Sequence, residues 1–190
     1  KTKAMVEVNG KTLIERCLDS AVMQPIDRII LVVGYQKERL KSHLGGSYKG
    51  VDIVYIENND YATTNNIYSV FLAKDYLLKD DTILIESDLI FEPKILQMII
   101  DNKSDNLALV DKHKPWMDGT VVKLNEDFSI SHFISKADFN YNHVHEYYKT
   151  VNIYKFSRSF LTNVYVPFLE AYAKAMGNNE YYEQVLKVIL

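Results

Sequence analysis

The sequence has little cysteine, glycine and proline, and it has no long hydrophobic run. Its 190 residues include one Cys, seven Gly and four Pro. The single Cys17 excludes a disulfide framework and fits a reducing cytoplasm. No run of about 18 apolar residues occurs, so no membrane span is expected, and no signal peptide is recognised. No repeat, low-complexity segment or linker divides the chain, which predicts a single cytoplasmic domain over residues 1–190.

An excess of positive charge is also absent. The 22 Lys and Arg residues stand against 25 Asp and Glu residues, which gives a formal net charge of −3. Proteins that bind nucleic acid usually show a basic excess, so no nucleic-acid partner is expected. The five His residues lack the spacing of zinc ligands. With 47% hydrophobic and 25% charged residues, the composition is that of a soluble globular domain with a sizeable core.

The most informative stretch begins with an apolar segment and ends at a proline. Thr82–Ile85 is apolar and rich in β-branched residues, which predicts a buried strand. Glu86 and Asp88 follow it, and Pro93 suits the first turn of a helix. Ligands and metals lie at the carboxyl ends of strands in open α/β sheets, and Mg²⁺ takes one or two carboxylates. Asp88 is therefore a candidate Mg²⁺ ligand, with a turn or helix-cap role as the alternative.

Strand and helix patterns alternate along the first part of the chain. Strands are predicted at residues 5–8, 29–33, 51–56, 82–85 and 107–110, and the helix that begins at Thr12 has the capping-box residue Glu15 three positions later. Strand–helix alternation is typical of a parallel sheet covered on both faces.

The pattern changes in the second part of the chain. An antiparallel pair is predicted at residues 120–124 and 130–134, then a strand at 151–156 and helices at 159–165, 167–176 and 181–190. The sequence thus predicts one α/β domain whose sheet is mostly parallel, with a small antiparallel insertion.

Five stretches together carry a family likeness. They are residues 3–14 (KAMVEVNGKTLI), 58–69 (NNDYATTNNIYS), 116–122 (WMDGTVV), 148–154 (YKTVNIY) and 178–183 (NNEYYE). The first resembles the second half of the nucleotidyltransferase signature. The others resemble the bacterial CTP:phosphocholine cytidylyltransferases and their relatives that activate 2-aminoethylphosphonate. The resemblance covers nearly the whole chain, and the combination is specific although no single stretch is.

This resemblance implies a Rossmann-like three-layer α/β/α nucleotidyltransferase fold. It also implies Mg²⁺-dependent transfer of a cytidylyl group from CTP to phosphocholine or 2-aminoethylphosphonate, with release of pyrophosphate. Two departures affect the expectation. Thr2 stands where the family usually has Pro. The family's Gly-rich phosphate loop would precede Lys1 and its second metal-binding Asp would follow Leu190, so the sequence is expected to hold the middle of an active site.

The resemblance also implies roles for individual residues. Lys3 would be the catalytic cation that stabilises charge on the α-phosphate and the pyrophosphate, and Asp88 would bind the catalytic Mg²⁺. The nucleotide would be bound by Lys3, Thr64, Asn65, Asn66 and Ser87, and the acceptor by Trp116, Asp118, Lys149, Tyr181, Tyr182 and Glu183. An ammonium head group suits aromatic faces with a carboxylate nearby.

These assignments have structural alternatives. Lys3 and Lys149 can be solvated residues at the ends of elements, and Asn65 or Asn66 can be a simple helix cap. Isolated Trp and Tyr residues more often pack in the core or at its rim. Because Tyr181 and Glu183 are two positions apart, both can face one ligand only if the helix begins between them.

Other functions remain open at this point. A sugar-1-phosphate nucleotidyltransferase would use the same fold. A nucleotide-sugar glycosyltransferase is suggested by the acidic pair Glu86 and Asp88, which mimics an acidic-x-acidic metal site. A non-catalytic nucleotide-binding regulatory module is the third alternative. The resemblance also leaves open a homodimer or a fused aminotransferase domain.

Overall fold

The computed structural model describes residues 2–190 and is built from strands and helices in alternation. The strands are β1 (Glu7–Val8), β2 (Lys11–Thr12), β3 (Arg28–Val33), β4 (Ser47–Tyr48), β5 (Val51–Glu57), β6 (Thr82–Ile85), β7 (Leu107–Lys112), β8 (Val121–Leu124), β9 (Ile130–Ile134) and β10 (Tyr147–Phe156). The helices are α1 (Leu13–Ala21), α2 (Lys37–Leu44), α3 (Asn66–Leu72), α4 (Lys74–Leu77), α5 (Lys94–Asp101), α6 (Arg158–Phe160), α7 (Val166–Met176) and α8 (Glu183–Ile189). A π-helical stretch, Leu161–Tyr165, joins α6 to α7. No helix within residues 2–190 is long and apolar enough to cross a membrane.

The first elements form a hairpin instead of the single strand predicted at residues 5–8. A 3₁₀ turn at Lys3–Met5 leads into β1, which pairs with β2 across Asn9 and Gly10. Both turn residues have positive φ, 51° and 76°. An Asn-Gly turn folds a chain tightly back on itself, which is why the predicted strand is short and pairs locally.

The predicted capping box at the start of α1 is confirmed. The Thr12 hydroxyl accepts a hydrogen bond from the Glu15 N–H, and the Glu15 carboxylate accepts one from the Thr12 N–H at 2.8 Å. This reciprocal pair satisfies two of the four N–H groups that a helix start leaves free. The cap therefore stabilises the helix that packs Ile14 and Leu18 against β3 and β5.

Strand pairing differs from the mostly parallel sheet that the alternation predicts. Within residues 2–190, β3 and β5 form the one parallel pair, and β4 extends it antiparallel to β5. β10 is antiparallel to β6, β7 and β8, and β9 is antiparallel to β8. Because β10 runs between β6 and β7, two strands expected to lie in a parallel ladder are each paired with β10 instead. The expectation of a mostly parallel sheet was wrong in this respect, and the α/β layering stands.

The two faces of the β10 sheet are covered by different helices. Ile153 packs against Leu96 and Ile99 of α5. The next residue, Tyr154, packs in the largest apolar cluster, with residues of α3, α7 and α8. Consecutive residues of a strand point to opposite faces, so this neighbouring pair divides the helices into two layers. The result is the three-layer α/β/α arrangement.

A cavity of about 970 Å³ separates the two larger sheets. β3 and β6 are edge strands of these sheets, and both line the cavity. Arg28, at the start of β3, lies 3.7 Å from Asp80, just before β6. Both strands therefore begin at the same end of the cavity. Within residues 2–190 their facing edges have no partner strand.

The capping box gives a first prediction. Thr12→Ala should lower the free energy of unfolding by about 1 kcal/mol, because the Glu15 N–H loses its acceptor. Urea denaturation measures the change. The matched control is Thr162→Ala, since Thr162 is exposed on the π-helical stretch. An equal loss in both variants would show that the capping bond does not stabilise the fold.

Candidate active site

Lys3 and Asp88 come together at one end of the cavity. The Lys3 Nζ lies 3.7 Å from the Asp88 Oδ2, and both residues line the cavity with Ser87. The Lys3 side chain is 86% exposed and the Asp88 side chain 30%. A cation and an anion that are far apart in the sequence thus lie side by side where solvent can reach them. That arrangement can bind an anionic ligand through the amine and a hard cation through the carboxylate.

The position of Asp88 follows from the sequence around it. β6 is a four-residue apolar strand, and Ser87 and Asp88 lie in the turn that follows it. α5 begins at Lys94, directly after Pro93. The chain therefore delivers Asp88 at the carboxyl end of a strand and before a helix, as predicted. This is the edge of an α/β sheet where ligands bind.

Glu86 also lines the cavity, and its carboxylate is held by amide side chains. Its Oε1 accepts a hydrogen bond from the Asn66 Nδ2 at 3.3 Å, and its Oε2 accepts one from the Asn152 Nδ2 at 2.9 Å. Because both oxygens are engaged, Glu86 joins the end of β6 to α3 and β10.

The polar stretch before α3 has partners within the chain. The Thr64 hydroxyl accepts from the Asn58 Nδ2 at 3.1 Å and donates to the Asp60 carbonyl at 2.8 Å. Asn65 is the N-cap of α3, and its Oδ1 accepts from the Asn66 N–H. The Asn66 Oδ1 accepts from the Tyr182 N–H at 3.0 Å. The nucleotide-binding role of Thr64, Asn65 and Asn66 stays a prediction.

The three predicted acceptor residues at the start of α8 face different ways. α8 begins at Glu183, directly after Tyr182. Tyr181 is 55% exposed, whereas Tyr182 and Glu183 are buried. The Tyr182 ring meets the Tyr154 ring edge-on, with 5.7 Å between centroids. The helix does begin between Tyr181 and Glu183, yet one side chain points to solvent and the other into the interior.

A buried polar cluster surrounds Glu183. Within residues 2–190, the Glu183 Oε2 and the hydroxyls of Tyr154 and Tyr182 have no hydrogen-bond partner. Loss of solvent raises the pKa of Glu183 to about 7, the charge of Glu86 adds to the rise, and Lys149 opposes it. Burial also lowers the pKa of the Lys149 amine, while the nearby carboxylates oppose that shift. Glu183 is therefore the side chain of this group whose charge changes near neutral pH.

The loop between β7 and β8 holds two further predicted acceptor residues. Trp116 is 77% exposed, with the Lys114 Nζ 5.8 Å from its ring centroid. Asp118 accepts a hydrogen bond from the Lys136 Nζ at 2.9 Å, and this bond lowers the pKa of the Asp118 carboxyl. Gly119 has a φ of 98°, and the Lys149 side chain lies next to it, since a Cβ at that position would be in ordinary van der Waals contact with the Lys149 Cε at 3.4 Å. Asp118 and Lys149 therefore lie in neighbouring segments.

Asp88 is the candidate ligand for a metal ion. Within residues 2–190, no three His, Cys, Asp or Glu side chains are grouped to hold a metal. Mg²⁺ does not need such a group, because it retains several water ligands and is often held by one carboxylate together with substrate phosphates. The accessible Asp88 carboxylate fits that form of binding. The role of Asp88 as a metal ligand stays a prediction.

One functional candidate was missed from the sequence. Asn152, which donates to Glu86, has φ of 58° inside β10. A strand pattern gives no sign of such a conformation. The available signal was its place in the YKTVNIY stretch that carries the family likeness.

The chain is similar to known proteins in both sequence and fold. Residues 4–185 match the model of a family described as Domain of unknown function (DUF6564). The chain belongs to this family. Because the match covers nearly all of the sequence, the fold and the candidate site described above are those of a DUF6564 domain.

Two curated relatives of this DUF6564 chain have related names. The CMP-5'-(3-aminopropyl)phosphonate synthase of Streptomyces rubellomurinus is 28% identical over 185 residues, which cover 96% of this chain and 29% of that protein. The 2-aminoethylphosphonate cytidylyltransferase of Lancefieldella rimae is 37% identical over 98 residues, covering 48% and 39% respectively. The chain thus spans less than half the length of these two relatives. The resemblance to cytidylyltransferases inferred from the sequence is confirmed.

Solved structures confirm the fold. The CTP:phosphocholine cytidylyltransferase of Streptococcus pneumoniae matches with a TM-score of 0.71 and 22% identity, over 99% of this chain and 75% of that one. A putative glucose-1-phosphate thymidylyltransferase from Bacillus anthracis matches with a TM-score of 0.73 and 15% identity, over 96% and 72%. At such identities the likeness concerns the fold alone. The predicted Rossmann-like nucleotidyltransferase fold of the DUF6564 chain is thereby confirmed.

The buried Glu183 predicts that stability depends on pH. Its folded pKa of about 7 lies above the ordinary value of 4.5, so the folded state holds the proton more tightly than the unfolded state. This contribution is complete below pH 4.5 and is lost as the pH rises through the folded pKa. Glu183→Gln keeps a neutral side chain at every pH. The variant should therefore gain up to about 3 kcal/mol over the wild type between about pH 4.5 and about pH 8.

Urea denaturation of both proteins across this range measures the difference. Carboxyl ¹³C NMR of Glu183 reports the titration midpoint directly. A difference between variant and wild type that is the same at both ends of the pH range would contradict the prediction.

Proposed function

We propose that the protein transfers a cytidylyl group from CTP to a small amine-bearing phosphate or phosphonate and releases pyrophosphate. The observation that carries the proposal is the pairing of Lys3 with Asp88, 3.7 Å apart, at the carboxyl end of β6 and beside the cavity. The relatives' names support the same chemistry, since two of them are a CMP-phosphonate synthase and a cytidylyltransferase for an aminophosphonate.

The reaction needs two anions to meet. An oxygen of the acceptor phosphate or phosphonate attacks the α-phosphorus of CTP, a new O–P bond forms, and the bond to the pyrophosphate oxygen breaks. No covalent intermediate with the protein is required, so catalysis depends on alignment and on charge neutralisation. Lys3 would stabilise the negative charge on the α-phosphate and on the leaving pyrophosphate. Mg²⁺ held by Asp88 would supply the remaining positive charge.

The acceptor would be recognised by its two ends. Lys149 is the basic residue suited to the phosphonate, because its half-buried amine lies beside the Asp118 loop. Trp116, Tyr181 and the Asp118 carboxylate suit the ammonium end, whereas Glu183 points into the interior. The Trp116 ring already has one cation near it, the amine of Lys114. Thr64, Asn65, Asn66 and Ser87 are proposed to bind the nucleotide.

A sugar-1-phosphate nucleotidyltransferase is the second candidate. The observation in its favour is that the UTP–glucose-1-phosphate uridylyltransferase AglF of Haloferax volcanii is 29% identical over 105 residues, which cover 55% of this chain and 42% of that protein. A pyrophosphate-release screen separates the candidates. It tests CTP and UTP against phosphocholine, 2-aminoethylphosphonate and glucose-1-phosphate with the natural full-length protein. A glycosyltransferase would release no pyrophosphate, and a regulatory module would turn over none of these substrates.

Replacing the proposed metal ligand tests the catalytic assignment. Asp88→Asn should lower kcat by at least about 100-fold, because charge at the reacting phosphates is no longer balanced. The melting temperature should stay close to that of the wild type. Asp80→Asn is the matched control, since Asp80 lies at the opposite end of β6 and pairs with Arg28. A large fall in melting temperature for Asp88→Asn, with kcat retained, would give Asp88 a structural role.

Replacing the exposed tryptophan tests the acceptor pocket. Trp116→Ala should raise the KM for the amine-bearing acceptor by about 2–5-fold, the effect of an exposed cation–π contact. The KM for CTP should not change. Phe128→Ala, another exposed aromatic residue, is the control. Equal effects on both substrates would mean that Trp116 supports the loop and does not contact the acceptor.

A further inference from the structure

We propose that Asn152 is a positioning residue that holds the end of β6, and with it Asp88, in the geometry that catalysis requires. The inference rests on the proposed function, because it assigns Asn152 a role in the reaction attributed to Lys3 and Asp88. Asn152 does not itself line the cavity. It would act through Glu86, two residues before Asp88.

The backbone at Asn152 departs from the strand around it. Its φ is 58°, a left-handed conformation inside a ten-residue strand. The pairing of β10 with β7 shifts register between Thr150 and Tyr154, which brackets this residue. Bulges of this kind redirect a side chain and are frequent beside active sites. Asn is one of the few residues with a side chain that adopts this conformation readily.

The redirected residue contacts Glu86 twice. The Asn152 Nδ2 donates to the Glu86 Oε2 at 2.9 Å, and the Asn152 carbonyl accepts from the Glu86 N–H at 3.3 Å. The Thr150 hydroxyl lies 3.2 Å from the Asn152 Oδ1 and 3.1 Å from the Thr120 carbonyl. One residue thus holds both the backbone and the carboxylate of Glu86, and its own side chain is held in turn.

The same carboxylate connects this contact to the rest of the site. The Glu86 Oε1 accepts from Asn66, whose Oδ1 accepts from the Tyr182 N–H. A continuous chain of hydrogen bonds therefore runs from β10 through the end of β6 to the starts of α3 and α8. If the Asn152 bond is lost, the end of β6 is released on one side. A displacement of about 1 Å at a reacting group can cost about 100-fold in rate.

Two properties of Asn152 can be separated by substitution. Gly adopts the left-handed conformation without strain and has no side chain to donate. Asp keeps the shape of Asn but places a carboxylate against Glu86. The first change tests the side-chain bond without disturbing the backbone, and the second tests the polarity of the bond.

The first experiment compares Asn152→Gly with the wild type in the natural full-length protein. We expect kcat to fall by at least about tenfold while the KM for CTP changes by less than about twofold, the pattern of lost alignment in the transition state. The melting temperature should be retained. Phe128→Gly is the matched control, because Phe128 also has positive φ, 64°, but is exposed in the turn between β8 and β9. Its kcat should equal that of the wild type.

The second experiment restores the bond with its polarity reversed. Asn152→Asp alone should lose activity, because two carboxylates then face each other. Adding Glu86→Gln places an amide opposite the introduced carboxylate, so the amide nitrogen can donate to it while the amide carbonyl still accepts from Asn66. The double variant should regain at least about tenfold in kcat over the single Asn152→Asp variant, a coupling that only a direct pair gives.

The outcomes separate the two proposals. If the wild type releases no pyrophosphate from any substrate pair, the proposed function fails. If the wild type is active and Asn152→Gly keeps its kcat, Asn152 does not position the site. A loss of kcat that follows a fall in melting temperature, and that the reversed pair does not repair, would likewise overturn the inference and leave Asn152 a purely structural residue.

Discussion

The candidate site depends on the hydrogen bonds that the Glu86 carboxylate accepts. A partly buried carboxylate must keep hydrogen-bond donors, because leaving it without them is costly. Here the donors are two neutral amides, Asn66 and Asn152, on different elements. Their convergence on one side chain fixes where the end of β6 lies relative to α3 and β10. Asp88 takes its position from that junction.

The layers of the fold make this junction possible. β10 borders β6 on one edge and β7 on the other, and its buried side chains alternate between α5 and the cluster of α3, α7 and α8. Helices therefore pack against both faces of the sheet close to the site. In contrast to this packed sheet, Lys3 is exposed and lies on a short 3₁₀ turn. The candidate site thus joins a partly buried carboxylate to an exposed cation.

Much of this arrangement could be predicted from local signals. The apolar run of β6 with Pro93 beyond it, and the capping box at Thr12, each have a physical cause within a few residues. The meeting of Lys3 with Asp88 could be expected from the family likeness alone, since no local pattern links residues so far apart. The likeness also identified the segment that contains Asn152.

Other features depend on contacts that a sequence does not display. The left-handed Asn152 stands in a run that reads as a regular strand, and it lies at a register shift in the pairing of β10 with β7. Glu183 stands at a helix start, where a carboxylate is usually exposed to solvent, and tertiary packing of α8 buries it. The alternation of strands and helices predicts that β6 and β7 are parallel neighbours. It does not show that a later strand, β10, lies between them.

The gap between β3 and β6 also affects how the chain can interact with other polypeptides. The two strands present their unpaired backbone donors and acceptors to a cavity of about 970 Å³. These two open edges are a template for β-augmentation. An added strand would fuse the two sheets into one continuous surface from β4 to β9. Open edges of this kind recruit other polypeptides, so self-association of the 190-residue chain would reflect these two open edges and not a failure of its layers to pack.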